Sequence, residues 1–216
     1  RVLFRSYGPI DSGATIYTCA NLAHAARVYG TFKPWQNYAA DLRSRAEKSW
    51  NWYKSNPRTY KTDTGEIKSG IANRSAEEQD RMEAYAAIHL FALTGDVKYN
   101  NAVVEKASAS RLLAEGIWSP YEAGASEALV DYLTMPKADS GLADKIKQAL
   151  VRSSTSDQFA PAPDVDLYRS WMQPTNYHWG SNNVRASWGV VALLAAKVMD
   201  APVANRLRER AKIGRA

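Results

Sequence analysis

From residue 12 onward, apolar residues return at intervals of three and four, broken by Gly, Pro, Ser and Asp. Strict alternation is almost absent, so the pattern predicts an all-α chain. The first predicted helix opens at Asp11 or Ser12, both good N-cap residues, carries Ala14, Tyr17, Ala20, Ala23 and Ala26 near one face, and stops at Gly30. Pro34 opens a second helix that reaches Lys54. Tyr38, Leu42, Ala46, Trp50 and Tyr53 are spaced there for one buried face, while Arg43, Arg45, Glu47 and Lys48 fall mostly away from it. Ser75 and Glu78 make a capping-box pattern that starts a third helix ending at Gly95. Further helices are expected from Val97 to Ala114, from Ser119-Pro120 to just before Pro136, from Leu142 to Arg152, over 182–199, and from Pro202 onward. Residues 56–74 read as a polar loop, and 153–176 as a long packed one. Helical hairpins thus follow one another without the strict repeat of a solenoid, which fits an α/α toroid or a helical bundle. Periodicity leaves both open.

Composition adds limits. A chain of 216 residues has room for one or two domains, and 45% hydrophobic with 23% charged residues is globular, not disordered. The formal charge of +6 is concentrated in RLRERAKIGRA, so a solvated helix face accounts for it better than a nucleic-acid partner does. Cys19 is the single cysteine, which rules out an intramolecular disulfide and any CxxC site. No run approaches the roughly 20 apolar residues of a membrane span. Seven Trp and twelve Tyr are an aromatic supply that a plain core does not explain.

Candidate chemistry is sparse. His24, His89 and His178 lie on different elements without metal-ligand spacing, and nucleotide-binding and serine-hydrolase motifs are missing. Glycoside hydrolysis needs two carboxylates, yet Glu77, Glu78, Asp80 and Glu83 crowd the first turns of the third helix, where the helix dipole explains them. Asp164, Asp166, Glu122 and Glu127 form no evident pair. The most specific stretch is NYHWGSNNVRASWG, residues 176–189. Its Tyr-His-Trp cluster ahead of Gly and Asn offers ring planes and amides to a sugar; plugging the end of a helix pair is the plainer use.

Several segments together resemble glycoside hydrolase family 9. DSGATIYTCANLAHAARVY is similar to that family's Ser/Ala/Thr helix, and AEKSWNWY to the helix that follows it. AEEQDRMEAYAAIHLFALTGDVKY is similar to its acid-rich start leading through an aromatic-Ala-Ala run to Thr-Gly-Asp, and NYHWGSNN to its aromatic-x-Trp-Gly-Ser-Asn motif. The resemblance implies part of an α/α six-hairpin barrel and an inverting hydrolase of β-linked glucan, secreted or periplasmic. The family's Asp-Ala-Gly-Asp and His-His-Arg motifs, which accompany its catalytic Asp and Glu, do not occur. The expectation is therefore that residues 1–216 are a partial catalytic domain without either catalytic carboxylate, inactive alone and prone to pair with missing segments or with itself. Asp11 then reads as a helix cap. By resemblance, Tyr85 stands where the family has an aromatic platform, commonly Trp, and Tyr177, His178 and Trp179 line or support a sugar subsite. Some relatives bind calcium near the start of the Ser/Ala/Thr helix, but only Asp11 and Ser12 offer oxygen ligands here, and a hard cation takes about six or more. Calcium is therefore disfavoured, and no other cofactor is implied. A non-catalytic carbohydrate-binding or scaffold unit is the alternative.

Overall fold

The computed structural model describes residues 9–63, 73–119, 122–155, 186, 189, 190 and 192–211. The described residues are helical, without a strand. No helix among them is long and apolar enough to cross a membrane. Two compact units divide the chain, residues 1–109 and 110–216.

The first unit is built on three long helices, α1 (Ser12–Tyr29), α2 (Gln36–Ser55) and α3 (Ala76–Thr94), followed by α4 (Val97–Lys106). α1 packs on both α2 and α3. Such close approach follows from small side chains: Ser12, Gly13, Cys19, Ala20, Ala23 and Ala26 are all buried on α1, with Ile16 the one bulky exception. The buried stripe is rotated from the expected one, since Tyr17 and Ala14 are exposed and Ile16 and Cys19 take their places. Packing against two neighbours at once widened the face beyond a single row. The Cys19 thiol donates to the Ala46 carbonyl across the α1–α2 contact at 3.2 Å, and burial pushes it up to about 12, so it is an inert small hydrophobe.

A single 3-10 turn, Lys33–Trp35, precedes α2, with Pro34 inside it. α2 buries Ala39, Leu42, Ala46, Trp50 and Tyr53. Tyr38 departs from expectation: it is exposed, and joins Tyr29 and Trp35 in a surface cluster with ring centroids 5.1 to 6.0 Å apart. Trp50 meets Tyr99 of α4 edge to face at 5.3 Å and so ties α2 to α4.

α3 begins as its sequence promised. Ser75 Oγ accepts from the Glu78 amide at 3.1 Å while Glu78 Oε2 accepts from the Ser75 amide at 2.8 Å. Gly95 closes the helix at φ 67°, donating to the Phe91 carbonyl at 2.8 Å. α1 and α3 run in the same direction, because Ser12 meets Gln79 near both N-termini while Arg27 meets His89 further along both.

That N-terminal meeting is a dense junction. Ser12 Oγ donates to Gln79 Oε1 at 2.8 Å and accepts from the Thr59 amide at 2.8 Å, while Gln79 Nε2 reaches the Thr59 carbonyl at 2.9 Å. Gly13 is wedged beside it, where an added Cβ would lie 2.8 Å from both Cβ and Cγ of Arg74. Gly13→Ala is therefore expected to cost about 1–3 kcal/mol in urea denaturation through overpacking. An unchanged midpoint would mean that Arg74 yields freely.

The second unit contains α5 (Arg111–Glu115), α6 (Ala123–Tyr132), α7 (Ser140–Thr155) and α8 (Ala201–Ala211). The helix expected to run unbroken from Val97 to Ala114 is split by a 3-10 turn, Ala107–Ala109, and restarts when Ser110 Oγ caps Leu113. A serine that competes for backbone amides favours such a restart. α7 starts earlier than expected because Asp139 Oδ1 accepts from the Leu142 amide at 2.7 Å. Trp118, Leu112, Tyr132, Ile146 and Leu150 are fully buried in this unit.

Candidate functional site

The most concentrated chemistry lies where α1 and α3 face each other. His24 and Arg27 are three apart on α1, and Tyr85 and His89 four apart on α3, so each pair shares a helix face. His24 Nδ1 and the Tyr85 hydroxyl are 3.0 Å apart, and the two imidazoles of His24 and His89 stack at 4.5 Å with planes within 5°. Tyr85 meets His89 edge to face at 4.8 Å. Arg27 Nη1 donates to His89 Nδ1 at 2.7 Å. Burial, then the neighbouring His24 and Arg27, hold the His89 imidazole down to about 2, so it stays neutral. His89 and Tyr85 are 2% and 7% exposed, whereas His24 and Arg27 are partly open to solvent.

One turn toward the N-terminus of α3, a second cluster is ionic. Glu83 is fully buried and accepts from Lys54 Nζ at 2.7 Å and from Arg58 Nη2 at 2.8 Å. Arg58 also reaches Asp80 at 2.7 Å, and its guanidinium lies 5.3 Å from the Tyr53 ring centroid. A carboxylate whose two oxygens already accept from Lys54 and Arg58 is occupied, which suits structure better than proton transfer. Glu77 is exposed, Glu78 is spent on the capping box, and burial with Asp131 one turn on raises Glu127 on α6 above the usual carboxylate range.

These helices bear three of the four segments quoted above for their resemblance, folded as two parallel helices with an antiparallel partner, while NYHWGSNN lies outside the described residues. Residues 2–213 match the description of glycosyl hydrolase family 9. The chain belongs to that family.

Solved structures agree in fold. A metagenome-derived glycoside hydrolase family 9 endoglucanase superposes with a TM-score of 0.71 at 20% identity, over 93% of this chain and 35% of its own. Glycoside hydrolase family 9 endoglucanase J30 gives 0.69 at 24% identity, over 93% of this chain and 36% of its own. The chain thus spans about a third of the length of either structure. No curated protein matches it. The fold class is that expected, all-α and part of the family's α/α barrel.

Within this family frame, of the four residues assigned to sugar binding from the resemblance, Tyr85 sits in the α1–α3 cluster, while Tyr177, His178 and Trp179 lie outside the described residues. His24, His89 and Arg27 escaped the sequence reading, which treated the histidines as unrelated. The signal was there in the spacing: polar rings and a guanidinium recur at helical intervals on faces that are otherwise Ala, Ile and Leu. The two oxygen ligands considered for calcium, Asp11 and Ser12, are already engaged by other groups. Asp11 Oδ1 caps α1 by accepting from the Ala14 amide at 2.7 Å, and Oδ2 accepts from the Thr59 and Thr62 hydroxyls. The Ser12 hydroxyl is committed to Thr59 and Gln79, and among the described residues no group of three or more His, Cys, Asp and Glu could hold a metal.

Proposed function

We propose that the protein carrying this segment is an inverting glycoside hydrolase of β-linked, cellulose-like glucan, and that residues 1–216 contribute helical scaffold and part of the wall of its cleft. Family membership over residues 2–213 carries the reading. Single displacement requires a carboxylate to activate water and a protonated carboxyl to release the leaving oxygen, with room for the water between them. Among the carboxylates of the first unit, Asp11 is spent on the helix cap and Glu83 on two cations, which supports placing the catalytic pair elsewhere in the protein. Tyr85 is the side chain of this segment offered to a glucose ring, and Tyr177, His178 and Trp179 are assigned to the same substrate. Tyrosine suits that use, with an apolar ring to stack and a hydroxyl to anchor.

The test compares two proteins on one soluble β-glucan. The product of the complete reading frame, followed by proton NMR of the fresh reducing end, is expected to release the inverted anomer, whereas the 216-residue chain alone is expected to release no sugar. Retention of configuration, or hydrolysis by the isolated chain, would overturn the reading.

A further inference from the structure

His89 is the buried polar residue in the C-terminal half of α3. Its neighbours there are Ala86, Ala87, Ile88 and Leu90, and a leucine or phenylalanine would fill the same space with no polar atom to satisfy. Because a guanidinium nitrogen can only donate, the 2.7 Å contact from Arg27 requires a bare Nδ1 on His89, and the neutral ring must then carry its proton on Nε2. That Nε2 is buried without a hydrogen-bond partner among the described residues. An unpaired buried donor is destabilising and offsets part of what the ring's own contacts contribute.

What the ring does achieve is geometric. One face is stacked on His24, whose Nδ1 is in turn 3.0 Å from the Tyr85 hydroxyl, and Tyr85 stands edge on at 68°. Tyr85 is thereby held at both ends, its hydroxyl by one imidazole and its ring by the other. Stacking on a pyranose demands a fixed ring plane, and locked rotamers behind a contact residue supply it. We infer that His89 is a positioning residue for substrate: wedged between His24 and Tyr85 and anchored by Arg27, its ring sets the plane that Tyr85 presents to a glucan. This rests on the reading that Tyr85 meets the sugar.

The experiment uses the full-length enzyme that carries this segment, with KM and kcat on a cello-oligosaccharide and a melting curve for each variant. His89→Leu is expected to melt no lower than the parent, since the unpaired donor is gone, yet to raise KM roughly three- to tenfold with kcat within about twofold. His89→Phe, which keeps a ring, is expected to restore KM to within about twofold. His89→Asn keeps an acceptor for Arg27 but no ring, and is expected not to. A folded His89→Leu with parental KM, alongside a raised KM in Tyr85→Leu, overturns the role of His89 and leaves that of Tyr85 standing. A parental KM in Tyr85→Leu overturns both. Should His89→Leu fail to fold, equal KM values for the Phe and Asn variants overturn the inference.

Discussion

Arg58→Met is expected to lower the unfolding free energy by about 3 kcal/mol, and Lys54→Met by only about 1 kcal/mol. Both cations touch the same buried carboxylate, Glu83, at nearly the same distance. Coulomb's law at contact therefore does not separate them. Exposure and connectivity do. Lys54 is 45% exposed and makes one ion pair with α3, so much of its attraction is screened by water. Arg58 is 24% exposed and joins Glu83 to Asp80 while covering the Tyr53 ring. Removing it leaves a fully buried carboxylate with one half-solvated partner, and leaves Asp80 to Lys106 at 3.4 Å. The lower end of the usual range for breaking a buried pair is appropriate because the site is partly open. Urea denaturation of both variants checks this, and equal losses would contradict it.

The second large effect concerns substrate. Tyr85→Leu in the full-length enzyme is expected to reduce kcat/KM on soluble β-glucan roughly tenfold to thirtyfold, mostly through KM, the loss proper to one aromatic anchor. Tyr85→Phe separates ring from hydroxyl. It keeps the stacking surface and loses the hydroxyl with its 3.0 Å link to His24, so a drop of about threefold is expected. Because Tyr85 is 7% exposed, the leucine variant also leaves a partly filled cavity and is expected to melt lower, which is why the kinetic comparison is made below the melting transition. If Phe were as damaging as Leu, the hydroxyl and not the ring would be the contact.

Local rules carried far here. The Ser75–Glu78 capping box, the Gly95 stop, the Asp11 cap and the buried row Leu42, Ala46, Trp50 and Tyr53 all follow from spacing and side-chain chemistry within a turn or two. Legibility ended where tertiary contacts decide. Tyr38 has the right spacing for α2's core face, yet the aromatic neighbours Tyr29 and Trp35 hold it at the surface, and no periodicity in α2 encodes them. The α1 stripe turned because a second helix packs on it. The polar cluster was hidden for the same reason: His24 and His89 are 65 positions apart, and only the parallel alignment of α1 with α3 stacks them. Tyr85 was legible through a family pattern.

The Ser12–Thr59–Gln79 junction has a mechanical consequence. Twelve residues of helix separate Ser12 from His24, about 18 Å at the usual rise, so α1 acts as a stiff lever with its fulcrum at that junction. A tilt of about 3° there would carry the His24 imidazole by about 1 Å, an error of the size that spoils a preorganised subsite. Substitutions at the half-buried Thr59 or the buried Gln79, both at the far end of α1 from His24, would thus detune substrate affinity by leverage.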